Sequence, residues 1–325
     1  MIRLLIFATV AVILAAQSPA AVHDAATITT TEFAALDRAR TAVIIPGGIL
    51  EEHGPCLPSN ADGLIANWLA KQLADQIAAR PGWSVLLLPE LVLGHSGAND
   101  IGRRFTFPAT LTVRAETLRS VYMDLADALK AHGFKWVFLV HIHGAPLHNQ
   151  ALDEASDYFT ETTGARMVHL MGLAALENCC SWKEGADPAA VAEDGFTVHA
   201  GVSESSRVMF VAPETVKPEI ADAASVTGKD FAELVRIAEQ KEWPGYFGAP
   251  RFASAEIGRR VMEAQAAKLS EIAQAILDGK DWPEERLYTE DKMDPADVKI
   301  SRATEAVDAA IAKRQKSWLA RQKRK

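Results

Sequence analysis

Glu51, His53 and Asp62 flank the turn-forming pair Gly54-Pro55, and carboxylate oxygens mixed with imidazole nitrogens are what a divalent cation needs as ligands. On an extended backbone Glu51 and His53 leave the same face, and Glu52 between them points away. Asp62 heads the amphipathic stretch Gly63–Leu73, so it either folds back toward that pair or caps a helix. A second cluster, His141 and His143, ends the apolar run Trp136–Val140, and the alternation of an extended strand places both rings on one face. The third, His199-Ala200-Gly201-Val202-Ser203-Glu204, reads either as further ligands or as a helix entrance with Ser203 as cap and Glu204 in the first turn. Together the clusters offer Glu51, His53, Asp62, His143 and Glu204 as metal ligands and leave His199 for proton transfer. With no cysteine pair at zinc-finger spacing, the donor set points to a catalytic Zn, Mn or Fe site rather than a closed structural one.

Other candidates read as structural. Cys56 is a lone cysteine inside the first cluster and reads as a small buried filler. Cys179 and Cys180 are adjacent and read as two thiols, because only a strained bridge joins chain neighbours. The glycines form neither a dinucleotide fingerprint nor a phosphate-binding loop. Trp182, in the segment 172–198 ahead of His199, reads as packing, with a pocket wall as the alternative.

The three clusters resemble the creatininase (creatinine amidohydrolase) family in order and spacing. The family pattern E-x-H-G-P-x-L-P-x-x-x-D matches Glu51 through Asp62 without a gap. Phe107-Pro108-Ala109-Thr110 is similar to its F-P-G-T, and Glu116-Thr117-Leu118 and His132-Gly133-Phe134 to its E-T-L and H-G-F segments. His143-Gly144 stands where the family has N-G-H-G-G-N, and His199-Ala200-Gly201 with Glu204 and Ser206 stands where it has H-A-G-E-x-E-T-S. The likeness covers about residues 30 to 275. It implies a three-layer α/β sandwich and a binuclear centre bridged by Asp62, with Glu51 and His143 completing one site and His53 and Glu204 the other. The expected chemistry is attack on an amide carbonyl by hydroxide held between two divalent ions, with His199 protonating the departing nitrogen. The resemblance also implies a small amide substrate and a homo-oligomer, with a hexamer as the family precedent. Departures surround the ligand set: Cys56 replaces a histidine, His141-Ile142 replaces Asn-Gly, Val202 replaces a glutamate, and Ala145-Pro146 offers no acid after His143. They point away from creatinine itself and toward another C–N amide, a cyclic one first. A linear peptide, formamide or lactone on the same site, or a binding protein without turnover, are the alternatives.

The elements that must position these residues follow from periodicity. Apolar runs at Thr41–Ile45, Trp83–Leu88, Trp136–His141 and Arg166–Leu170 alternate with amphipathic stretches at about 63–79, 115–131, 148–162 and 255–277. Such alternation predicts an α/β fold with a mainly parallel sheet covered by helices on both faces, and the clusters then fall at strand ends. Residues 1–20 read as a signal peptide: Arg3, the apolar run Leu4–Ala16 and the small-residue site Ser18-Pro19-Ala20. A periplasmic or secreted protein is the expectation, with no stable membrane span, since the run is too short to cross a bilayer comfortably. One hydrolase domain is expected over 21–282, followed by a helical extension over 283–325 with a basic end. Losing Arg3 with the leader moves the net charge from −8 to −9, an acidic balance that disfavours nucleic acid.

Overall fold

The structure is a computed structural model that describes residues 21–323 apart from 178, 281, 283 and 284. The expected leader and the last two residues of the basic end lie outside the described residues. Five strands form the sheet: β1 (Val22–Asp24), β2 (Thr41–Gly47), β3 (Ser84–Leu87), β4 (Trp136–His141) and β5 (Arg166–His169). All pair in parallel in the order β1-β3-β2-β4-β5. Four of the five match the apolar runs, and β1 adds an edge strand too short and polar to stand out in the sequence. β2 is buried at every position and β4 at all but its first, as strands covered on both faces must be.

Six helices matter for the site: α1 (Ala61–Ala78), α2 (Ala115–Ala131), α3 (Pro146–Thr163), α4 (Val202–Val211), α5 (Ala255–Leu277) and α6 (Pro295–Gln322). Alternation along β2 and β4 sends Ala42, Ile44, Phe138 and Val140 to one face, where they pack with Ile65 and Leu69 of α1 and Leu269 and Ile272 of α5. Val43, Ile45, Val137 and Leu139 go to the other face, against Leu118 and Tyr122 of α2 and Leu152 and Phe159 of α3. The three layers place the apolar stripe of each helix against the sheet.

The chain leaves β2 toward β3 and later returns to β4 on the opposite side of β2, so a topological switch point lies between β2 and β4 at their C-terminal ends. Open parallel sheets leave a crevice there, because successive connections diverge to opposite faces.

One local expectation is corrected. Cys179 and Cys180 form a disulfide between neighbours, across a Cα–Cα separation of 3.8 Å. Spacing alone argues against it, whereas packing holds both sulfurs at the border of two apolar clusters. His141 and His143 share a face as expected, although β4 stops at His141: Phe138, Val140 and Ile142 pack together on one side, and both histidine rings meet His148 on the other, at centroid distances of 4.7 and 4.9 Å. The His141 ring lies over Gly47 on the neighbouring strand, where any Cβ would come within 2.2 Å of its Nε2, and meets Tyr122 edge-on with centroids 5.6 Å apart.

Candidate metal centre

At the switch point the chain passes from β2 through Gly48 to Glu51 and His53. A Cβ on Gly48 would lie 2.7 Å from the Asp62 Cβ, so a glycine there lets the start of α1 close against the strand end. Gly54, at φ +70°, turns the chain after His53 in a left-handed conformation that side chains resist. Asp62 then falls in the first turn of α1, but it does not cap the helix: the N-cap is Asn60. Its two oxygens divide between two imidazoles, Oδ1 at 3.6 Å from His53 Nε2 and Oδ2 at 3.3 Å from His143 Nδ1.

The other acids are aimed by backbone amides. Glu51 Oε2 accepts the Ala98 N–H at 2.7 Å, which leaves Oε1 at 3.0 Å from His143 Nδ1. Glu204 Oε2 accepts the Ala200 N–H at 2.7 Å, leaving Oε1 at 3.6 Å from His53 Nε2. The helix-entrance reading is thus half right: Glu204 does sit in the first turn of α4, but Gly201 rather than Ser203 occupies the cap. Ala200 holds φ +52°, a strained value for a residue with a side chain, next to His199.

Hydrogen bonds assign the histidine tautomers. His53 Nδ1–H donates to the Glu51 carbonyl at 3.2 Å, and His143 Nε2–H donates to the Ser96 carbonyl at 2.8 Å. Each ring, when neutral, therefore turns a lone pair toward the carboxylates. His53 Nε2 and Asp62 Oδ2 are buried without a hydrogen-bond partner. Acceptors facing acceptors in a buried place call for a positive charge between them, a proton on the ring or a metal ion that takes its place. Three groups of donors fit such an ion: Glu51, Asp62 and His143; His53, Asp62 and Glu204, with Asp62 common to these two; and Glu51, His53 and His199.

Electrostatics carry the same message. Burial works against charging His53 and His143, yet Glu204 and Asp62 hold the first, and Glu51 and Asp62 the second, well above the ordinary histidine range. Burial likewise opposes ionising Glu51, but His143, His199 and His53 pull its carboxyl down to about 2. Two buried carboxylates and the half-buried Glu204, which raise the proton affinity of two imidazoles, raise their affinity for a divalent cation by the same field.

His199 joins the site from the segment before α4. Its Nε2–H donates to the Glu52 carbonyl at 2.6 Å, and Nδ1 lies 3.8 Å from Glu51 and 3.9 Å from Glu204. Glu52 itself is a residue whose part the sequence pattern hides. Its side chain does leave on the other face, but it is buried against Thr110, which hydrogen-bonds its carboxylate, while its carbonyl orients His199. Burial and the neighbouring Glu51 push the Glu52 carboxyl up to about 7. Backbone atoms leave no composition signal, so only the fold reveals that role.

The centre opens into a cavity of about 290 Å³. Of the segment 172–198 only Val198 lines it among the described residues, and Trp182 packs instead with Ala190, Val202 and Val261. Cys56 is a buried filler near His53, its thiol pushed up by burial and by Glu219. The unexpected wall is C-terminal: Tyr288 and, on α6, Asp297, Ile300 and Ser301. Behind His143 runs a chain of neutral rings. The His95 N–H donates to His148 Nδ1 at 3.2 Å, and His148 Nε2–H donates to His141 Nδ1 at 2.9 Å. Burial and neighbouring imidazoles push both His141 and His148 well below the usual histidine range.

A parallel α/β sheet with acids and imidazoles converging at its switch point defines a class of hydrolytic sites, and comparison with known proteins says which. A model of the creatininase family, described as creatinine amidohydrolase, matches residues 26–273, and the chain belongs to that family. A mycofactocin precursor peptide peptidase from Mycobacterium ulcerans (strain Agy99) is 28% identical over 230 residues, covering 68% of this chain and 79% of the relative. Creatinine amidohydrolase from Pseudomonas putida is 24% identical over 229 residues, covering 68% of this chain and 84% of the relative. A crystal structure of creatinine amidohydrolase matches with a TM-score of 0.56 at 21% identity, over 79% of this chain and 97% of its own. A manganese form of creatininase gives 0.55 at 22% identity, over 79% and 98%. At such identity the structural likeness speaks for the fold alone, and it agrees with the three-layer sheet described above. The protein is a creatininase-family amidohydrolase.

Proposed function

We propose that this protein hydrolyses a C–N amide bond, a cyclic amide first, with two divalent cations (Zn, Mn or Fe) held by Glu51, Asp62 and His143 on one side and His53, Asp62 and Glu204 on the other. The observation that carries the reading is the pair of buried histidine nitrogens whose lone pairs face carboxylate oxygens. Divalent cations, when bound there, supply an acidified water as nucleophile and polarise the amide carbonyl. The protein's own part is to hold the donors still through the Ala98 and Ala200 amides, which spares reorganisation during the reaction. His199 lines the cavity with Nε2–H tied to the Glu52 carbonyl, so its Nδ1 is the atom free to take up a proton and pass it to the departing nitrogen. An amide nitrogen leaves poorly unless it is protonated, and that step belongs to His199.

Elemental analysis of the purified protein, together with assays on lactams, hydantoins, formamides, lactones and short peptides, tests the reading. Two ions per chain and turnover of an amide are expected; a metal-free protein that still hydrolyses amides would overturn it. A linear peptide is the second reading, supported by the likeness to a protein named as a peptide peptidase. We infer as well that residues 1–20 direct export and that the mature protein forms a homo-oligomer. Mass spectrometry of the mature chain and its sedimentation in solution test these two statements separately.

A further inference from the structure

The wall built by Tyr288, Asp297, Ile300 and Ser301 lies beyond residues 26–273, the part of the chain that the family model matches. It is pinned along its length. The Leu287 N–H donates to the Gly172 carbonyl at 3.0 Å, and Gln150 donates to the Tyr288 carbonyl at 2.8 Å. Thr304 Oγ1 donates to Asp100 at 3.2 Å, and Asp308 accepts the Ala115 N–H at 3.0 Å and faces His95 at 3.7 Å. A segment tied at both ends is a fixed side of the cavity rather than a loose tail.

The charge on this side is one-signed. Among the described residues no lysine or arginine lines the cavity, and beyond the candidate ligands its acids are Asp100 and Asp297. Asp100 is already engaged, accepting from Ser96, Asn99 and Thr304. The Asp297 carboxylate has no hydrogen bond or ion pair among the described residues, and burial, with Asp294 adding to it, pushes its carboxyl up to about 6. An acid in the first turn of α6 also suits the helix dipole, but a solvent-facing side chain would serve that purpose as well. Beyond the candidate ligands, Asp297 is thus the cavity acid that no side chain among the described residues neutralises or hydrogen-bonds.

We propose that Asp297 selects the substrate: its carboxylate receives a cationic group, an ammonium or a guanidinium, that the substrate carries away from the amide to be cleaved. This rests on the amidohydrolase reading, which it narrows to basic amides. The test uses the full metal-loaded protein and three amide probes identical except for a side chain ending in ammonium, methyl or carboxylate. Calorimetry and turnover are both measured, since binding reads the selection whether or not a probe is cleaved. The wild-type chain is expected to bind the ammonium probe at least about tenfold more tightly than the carboxylate probe, the scale of one partly screened ion pair. Asp297→Asn abolishes the preference, Asp297→Lys reverses it, and Asp297→Glu restores it, with metal content and melting temperature confirming that each variant folds. An unchanged ranking in Asp297→Asn, or a wild-type chain indifferent to probe charge, overturns the proposal. Correct ranking with no cleavage of any probe overturns the amide reading instead.

Discussion

A neutral imidazole that gives one N–H to a carbonyl has only a lone pair to offer on its other side, and at His53 and His143 that lone pair meets a carboxylate. Asp62 touches both rings with different oxygens, so Asp62→Asn is expected to lose both ions, whereas Glu204→Gln is expected to lose one; metal analysis after dialysis distinguishes the two. Turnover should fall more than about 100-fold in Asp62→Asn, since even residues that merely orient a ligand are worth 10–100-fold. His199→Ala is expected to keep its metal and lose about 10²–10⁴-fold in kcat, the range of a removed proton-transfer group. The pH response of metal-stripped protein follows from the shifts. His53 and His143 bind protons more tightly folded than unfolded, so their stabilisation is complete below their unfolded value near 6.5 and disappears as pH rises through the folded values. Glu51 and Glu204 are shifted down, so theirs is present above about 4.5 and disappears as pH falls through the folded values. Thermal melts with chelator should therefore peak between these limits, and added divalent ion should raise the melting temperature most above the upper one, where protons no longer compete. A chelated protein whose melting temperature rises steadily from pH 6 to 9 would contradict the assignment.

At the scale of elements, the site depends on two strands and on helices that arrive from distant parts of the chain. β4 carries the segment of His143 to the switch point, and Phe138 within it is 1% exposed and packs against the α1 and α5 layer. Phe138→Ala is expected to cost about 3–5 kcal/mol, the usual range for an emptied aromatic site, measured by denaturant unfolding. The clusters on β2 and β4 were legible because parallel central strands read as unbroken apolar runs and their polar ends stand out against them. α6 was legible as a helix, but nothing in its residues says where it lies. Its placement rests on single polar contacts such as Thr304 to Asp100, and Thr304→Val is expected to lower stability by about 1 kcal/mol, the worth of one hydrogen bond. The same substitution should disturb substrate affinity more than metal content, because α6 lines the cavity but contributes no ligand.

Over the whole molecule the charge is unevenly spread. The stretch from Lys313 to Lys323 carries basic side chains and no acid on an exposed helix, while the chain as a whole is at −8. No helix among the described residues is long and apolar enough to cross a membrane. Two ions bound only by the folded state would couple the halves of the sheet, and chelation should lower the melting temperature by an amount that grows with the logarithm of metal affinity, about 2.7 kcal/mol for a free ion at a hundred times its dissociation constant. Equal melting curves with and without chelator would mean that the cluster is structural and binds nothing.

Local pattern determined four of the five strands, the parallel sheet and the candidate donor residues, because burial on two faces and the chemistry of a ligand are both written in residue type and period. Tertiary structure alone decided that Asp62 faces two histidines rather than capping its helix, that His141 belongs to the core, that Cys179 and Cys180 are joined, and that α6 walls the cavity. Each of these turns on the distance between groups far apart in the chain or on the direction of a backbone carbonyl, and neither quantity has a period that a sequence can carry.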